Sequence, residues 1–350
     1  MDRWLLFLRD GIVCHDRFRP GFCAISNGGA GCDQFSALAI AQCAAYRPAI
    51  LNTGHLPMIT PQNATDIRLW QKLNPALTIS DGEKPKAKIA EIGSENDGFD
   101  AAGLSDRFWD EGYFLIHDVL PQDELAKLRF GIETLVANGF SPSLIYLYDE
   151  AWDVFRRLRP LLTHFLGDRV ALLPHFWAWH VDPRKAGSGW PPHRDYQGES
   201  VIGDDMLISL SLWVPLSNAT PDNGCMHVLP RNFEKEYAAP VSGPGDIFLQ
   251  DIRALPARPG DVMGWRQDLY HWGGRASSHA IEPRISLSLE FQNAAFDPLA
   301  DELLGLDTPP KFLQRLGLIA AQFDKYRHMQ SINADELTWA RAVVAACARA

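Results

Sequence analysis

Ile208, Leu210, Leu212 and Val214 are interleaved with Ser209, Ser211 and Trp213, and Ile285, Leu287, Leu289 and Phe291 with Arg284, Ser286, Ser288 and Glu290. A period of two predicts strands with two unlike faces. The polar face need not meet solvent: a chamber walled by such faces, with helices against the apolar outside, satisfies the same alternation. Asn223-Gly224 and Gly260-Asp261 supply hairpin-type turns in this region. Upstream the period lengthens. Ser105 is placed to cap a short helix through Trp109, Gly112 to end it, and residues 113–120 read as a strand. Pro121 then suits the first turn of a helix in which Leu125, Leu128, Ile132 and Leu135 recur at steps of three and four, ending at Asn138-Gly139. A second helix is expected over 150–165, stopped by Gly167. After Asp307 the chain reads as helical, with Phe312, Leu316 and Ile319 on one stripe. Each helix has one apolar face and needs a sheet or other helices to cover it.

Composition narrows the class. The chain has 350 residues, 46% hydrophobic and 22% charged, which suffices for a core in one large domain or two ordinary ones. Its 33 basic and 43 acidic residues give a net charge of −10, which excludes a generally basic nucleic-acid binder. The longest apolar run near the start, Trp4 to Leu8, is far shorter than a membrane span or signal-peptide core, so a cytoplasmic protein with no membrane partner is expected. Cys14, Cys23, Cys32, Cys43, Cys225 and Cys347 form no CxxC pair and read as free buried thiols. GGAG at Gly28–Gly31 lacks the spacing of a phosphate loop and reads as a turn. The charged, Gly-containing stretch 80–100 reads as a connector.

The chemistry gathers around PPHRDY. His193 and Asp195 stand two apart on an extended segment, so both side chains point to one side and reach one ion. A third candidate ligand, His271 in DLYHWGG, ends another expected strand. Two imidazoles and one carboxylate suit non-haem ferrous iron and leave three adjacent coordination positions open. Arg284 opens the polar face of the last strand, and its guanidinium is the planar fork that holds a carboxylate at two points.

In this order, residues 101–293 resemble the phytanoyl-CoA dioxygenase family of iron and 2-oxoglutarate oxygenases. The matching pieces are FWDEGYFLIHDVLPQDELAKLR, PPHRDY, LSLWVPLSNATPDNGCMHVLP, ARPGDVMGW, DLYHWGG and EPRISLSLEF. The resemblance implies a mainly β, α+β fold with flanking helices around a double-stranded β-helix (jelly-roll, cupin-like) core. It divides the chain into an N-terminal extension of open role (1–100), the oxygenase core with its supporting helices (101–297) and a C-terminal helical extension (298–350). It implies Fe(II) on His193, Asp195 and His271, with 2-oxoglutarate and O2 as cosubstrates. Arg284 would pair with the distal carboxylate of 2-oxoglutarate, and Trp213 would lie against it. Where relatives often carry a cosubstrate-binding Ser or Thr two residues after the distal His, this chain has Gly273, leaving Ser211 or Ser286 as replacements. PRNF at Pro230–Phe233 stands where relatives have a PGSH-like sequence, so the pocket rim differs.

The implied reaction is hydroxylation of an unactivated C–H of a small molecule, anionic or a natural product, with release of succinate and CO2. The carboxylate of Asp195 argues against halogenation, whereas desaturation, cyclisation and epimerisation begin with the same hydrogen abstraction. Two other classes compete: a non-catalytic jelly-roll binding protein, and a cupin-like enzyme using another metal without 2-oxoglutarate. Retention of all four of His193, Asp195, His271 and Arg284 disfavours the first, and Arg284 disfavours the second. Of the tryptophans near the barrel, Trp177, Trp179, Trp190, Trp265 and Trp272 read as packing rather than as an aromatic pocket that excludes water from the reactive centre. His175, His180, His227 and His279 read as structural or surface residues. The loop from Asp182 to Gly189, with Arg184 and Lys185, reads equally as a lid over an anionic substrate or as a solvated surface loop.

Overall fold

The computed structural model describes residues 60, 63–81, 89–93, 101–184, 189–203, 206–327, 332 and 334–347. The chain divides into two compact units, Met1–Leu56 and Pro57–Ala350, and every described residue belongs to the second. The expectations for the first four cysteines, the GGAG turn and Lys185 lie outside the described residues, as does the side chain of Cys347.

Eight helices are described: α1 (Ile67–Leu73), α2 (Ala101–Glu111), α3 (Gln122–Ala137), α4 (Asp149–Arg157), α5 (Arg159–Leu166), α6 (Arg231–Glu234), α7 (Phe312–Lys325) and α8 (Ala334–Cys347). The described strands are β1 (Tyr113–Ile116), β2 (Val170–Val181), β3 (Val201–Ile202), β4 (Met206–Leu207), β5 (Ser209–Pro215), β6 (Met226–Val228), β7 (Arg253–Leu255), β8 (Val262–Arg266), β9 (His271–Gly273), β10 (Arg284–Asn293) and β11 (Leu304–Gly305). A six-stranded sheet runs β1-β8-β5-β10-β2-β11, and a three-stranded sheet runs β7-β6-β9. All pairings are antiparallel. The two sheets form the double-stranded β-helix, with the helices against the outside of the larger one.

The alternating strands have no solvent face. Every residue of β5 is buried, as is every residue of β10 up to Gln292. The apolar side of β10 packs outward, with Phe291 5.9 Å from Phe155 of α4, while Arg284, Ser288 and Glu290 line an inner cavity. The α3 stripe of Leu125, Leu128, Ile132 and Leu135 is wholly buried against this assembly. Each such side chain removed from water is worth about 1.5–3 kcal/mol.

Several local expectations shift. Ser105 lies inside α2 and bonds His164 (Oγ to Nε2, 2.6 Å) rather than capping the helix. Strand β1 ends at Ile116 because Asp118 turns the chain with φ 56°. Pro121 sits one residue before the first turn of α3, as its N-cap. The single helix expected over 150–165 is two, broken at Leu158, with Pro160 in the first turn of the second and Gly167 (φ 74°) stopping it. At Asn223-Gly224 a turn forms but not a hairpin, because it carries the chain from β5 in the larger sheet to β6 in the smaller one. Gly224 has φ 82°, and a Cβ there would meet Gly274 O at 2.1 Å. The outer edge of β2 is covered by α7, where Gln322 accepts from Phe176 N (2.6 Å) and donates to Phe176 O (2.8 Å).

Candidate metal centre

His193 and His271 face one another across an isolated antiparallel bridge, exchanging both backbone hydrogen bonds (3.1 and 3.0 Å). Directly opposed residues of such a pair share a face, so the two rings lie 4.4 Å apart although the residues are remote in sequence. Each imidazole directs Nδ1 at the carbonyl two residues back, His193 to Pro191 O (3.0 Å) and His271 to Leu269 O (3.1 Å). Nδ1 therefore carries the proton, and each Nε2 keeps its lone pair for the space between the rings.

Asp195 completes the set. Its Oδ1 lies 3.7 Å from His193 Nε2 and 3.5 Å from His271 Nε2. Its Oδ2 is turned away, accepting from Ser211 Oγ (2.7 Å) and Trp265 Nε1 (3.0 Å). One ligand atom from each of the three residues lies within 4.8 Å of the other two, and among the described residues this is the group so arranged. Burial lowers the His193 imidazole below its usual value, and the neighbouring His271 adds to the effect. Burial alone would raise the Asp195 carboxyl, but the His271 and His193 rings, with Ser211 and Trp265, hold it below the usual range. Burial thus favours the neutral form of the His193 imidazole, and the donors Ser211 and Trp265 favour the ionised form of Asp195, the forms in which such groups bind a metal.

The triad opens on a cavity of about 510 Å³ whose wall includes Trp177, Trp179, Trp190, Trp213 and Arg284. Arg284 is 4% exposed and lies 6.0 Å over the Trp213 ring. Its Nη1 donates to Ser286 Oγ (3.3 Å), its Nε has no partner, and among the described residues no carboxylate pairs with it. Burial pushes this guanidinium down to about 10. A buried cation in this condition calls for an anion that the described residues do not supply. Gly273 explains its own presence: a Cβ there would stand 2.9 Å from Arg284 Nη2, so a serine or threonine would crowd the guanidinium.

The expected residues thus divide. His193, Asp195 and His271 meet at one point, Arg284 and Trp213 line the same cavity, and Ser286 stands behind, bonded to Arg284. Ser211, expected near the cosubstrate, directs its hydroxyl at Asp195 Oδ2. Trp265, expected to pack, also donates its N–H to that oxygen. Arg194 points away from its two neighbours, bonding Asp268 O and Glu234 and stacking 4.2 Å over Tyr270. Sequence reasoning missed Gln267 and Glu290 behind the acid. The only signal was a carboxylate on the polar face of β10.

The phytanoyl-CoA dioxygenase (PhyH) family pattern matches residues 108–285, a little over half of the chain. No protein of curated function matches. Solved structures similar to the chain include a non-haem monooxygenase ThoJ–nickel complex, at 16% identity over 64% of this chain and 97% of that one, TM-score 0.48. Another is HygX from Streptomyces hygroscopicus with nickel and 2-oxoglutarate bound, at 15% identity over 56% and 88%, TM-score 0.45. A third is the α-ketoglutarate-dependent epimerase SnoN from nogalamycin biosynthesis, at 21% identity over 55% and 81%, TM-score 0.42.

Proposed function

The chain belongs to the phytanoyl-CoA dioxygenase family of Fe(II)- and 2-oxoglutarate-dependent oxygenases, and from that premise we propose that it hydroxylates an unactivated C–H of a small molecule, releasing succinate and CO2. One observation carries the reading: three ligand atoms aimed at a single point share a cavity with a buried, carboxylate-free guanidinium. The donor set fits the metal, since two neutral imidazoles and a carboxylate are the ligands of the facial iron site.

His193 Nε2, Asp195 Oδ1 and His271 Nε2 would hold the iron, which supplies the open positions at which 2-oxoglutarate and O2 react. The other roles belong to the protein. Pro191 O and Leu269 O fix the imidazole tautomers, and Ser211 and Trp265 hold the far oxygen of the acid so that the near one stays presented. Arg284 would take the distal carboxylate of 2-oxoglutarate through two parallel N–H donors, with Ser286 steadying the guanidinium and the Trp213 face walling the cosubstrate. Trp177, Trp179 and Trp190 would exclude water around the reacting carbon. A cavity of about 510 Å³ suits a compact organic substrate.

Two measurements test the proposal. Anaerobic Fe(II) with 2-oxoglutarate should give the weak visible charge-transfer band of the chelate, and a screen of candidate substrates should reveal succinate release with a mass gain of one oxygen. Metal-loaded protein that shows no band and releases no succinate would point to a binding protein instead. Loss of two hydrogens, or an isomer of unchanged mass, would replace hydroxylation by desaturation or epimerisation.

A further inference from the structure

Behind Asp195 runs an uninterrupted line of buried and partly buried hydrogen bonds leading toward the end of helix α7. Ser211 Oγ donates to Asp195 Oδ2 (2.7 Å), and Gln267 Nε2 donates to Ser211 Oγ (3.3 Å) and to Glu290 Oε2 (3.2 Å). Glu290 also accepts from Trp177 Nε1 (2.9 Å) and His175 Nδ1 (2.7 Å), and the far nitrogen of His175 meets the hydroxyl of Tyr326 at 3.0 Å. Glu290 and His175 meet where the β10–β2 register shifts between Leu289 and Phe291, opposite the stretch of β2 that contains Pro174. Such an irregularity re-aims side chains at the place where it occurs.

The line has only one consistent polarity. A carboxylate is an acceptor only, so Glu290 forces Gln267 to present its NH2 and His175 to present Nδ1–H. The same NH2 then occupies the lone pair of Ser211, whose single proton is left for Asp195. Asp195 Oδ2 is thereby held as an acceptor and Oδ1 stays free between the imidazoles. Tyr326 and His175 fix Glu290 from the side of α7, with Tyr326 beyond the residues that match the family pattern.

We propose that Glu290 is a positioning residue of the metal centre, acting through Gln267 and Ser211 to set the orientation of Asp195. This rests on the reading of Asp195 as a metal ligand. Glu290 lines the cavity but lies outside the three-residue ligand group. It decides which way an amide and a hydroxyl point, and through them which carboxylate oxygen faces the site.

The test is nickel(II) binding to the full-length protein by titration calorimetry, independent of turnover. Glu290→Leu removes the acceptor that fixes Gln267, whose amide is then free to turn its carbonyl to Ser211 and draw the hydroxyl off Asp195. The expected result is a roughly tenfold loss of nickel affinity, the size typical when the support of a ligand is removed. In a Ser211→Ala background the same change should cost less than about twofold, because the route is already cut. Gln267→Met removes the donor that orients the Ser211 hydroxyl while leaving Glu290 on His175 and Trp177, and it should lower the affinity in the same direction even if Glu290→Leu folds poorly. Unchanged affinity in Gln267→Met, or an equal loss from Glu290→Leu with and without Ser211, would overturn the proposal. Asp195→Ala separates the two readings. If it abolishes binding while the relay variants bind normally, only the relay falls. If it binds as tightly as wild type, the ligand assignment falls as well.

Discussion

Replacement of Arg284 by methionine should move stability and cosubstrate binding in opposite directions. Burial depresses the guanidinium to about 10, and at 4% exposure solvent screens little of the penalty, which corresponds to roughly 3 kcal/mol against the fold. Because the folded value lies below the unfolded one, the penalty is fully present below pH 10 and fades as pH rises through that value. Methionine removes the charge, loses the bond to Ser286 and leaves a small packing defect, together about 1–2 kcal/mol. The metal-loaded variant without cosubstrate should therefore melt at the same temperature as wild type or a few degrees higher at pH 7–8. Addition of 2-oxoglutarate reverses the order. Wild type at a hundredfold excess over its Kd should gain about 2.7 kcal/mol of apparent stability. The variant, lacking two charge-assisted bonds worth about 1.5–3 kcal/mol each, should bind at least about a hundredfold more weakly and shift little. Thermal scans with and without 2-oxoglutarate in nickel(II) report both effects. A variant that is markedly less stable alone yet gains as much from 2-oxoglutarate as wild type would show that Arg284 is a structural cation and that the carboxylate is held elsewhere.

The geometry sets four more expected outcomes. Gly273→Ser places a Cβ 2.9 Å from Arg284 Nη2, so it should raise the 2-oxoglutarate KM at least several-fold rather than restore a missing contact, as read by succinate formation. Trp265→Phe removes one of the two donors to Asp195 Oδ2 and should weaken nickel(II) about tenfold in a calorimetric titration. Cys225 is wholly buried and its thiol is pushed up to about 11, so site-resolved mass spectrometry should find it unalkylated by iodoacetamide at pH 8 until the protein is unfolded. Tyr146 directs its hydroxyl at Trp177 O (3.1 Å) and Ser288 O (3.0 Å), tying the turn before α4 to β2 and β10, and Tyr146→Phe should cost about 1–3 kcal/mol in urea denaturation.

The alternation in β5 and β10 and the spacing from PPHRDY to DLYHWGG to EPRIS were enough to indicate strands around a polar chamber and to pick out His193, Asp195, His271 and Arg284. Those features are local: a period of two, a pair two apart, a cation opening a strand. The direction in which Ser211 and Trp265 point was not legible, because a strand pattern tells which face a residue occupies but not what crosses that face from a remote segment. Arg315 makes the same point. It lies between Phe312 and Leu316 on an apolar stripe, yet is 1% exposed and paired with Asp149 at 2.7 Å, a partner it meets only when α7 packs against the turn that leads into α4. Glu290 looked like any polar residue of a strand until the register shift of β2 brought His175 to it. Alternation, turns and ligand types are written in neighbouring residues. The orientation of a hydroxyl, the solitude of a guanidinium and the support behind a carboxylate come from contacts between distant ones, which exist only once the sheets have closed.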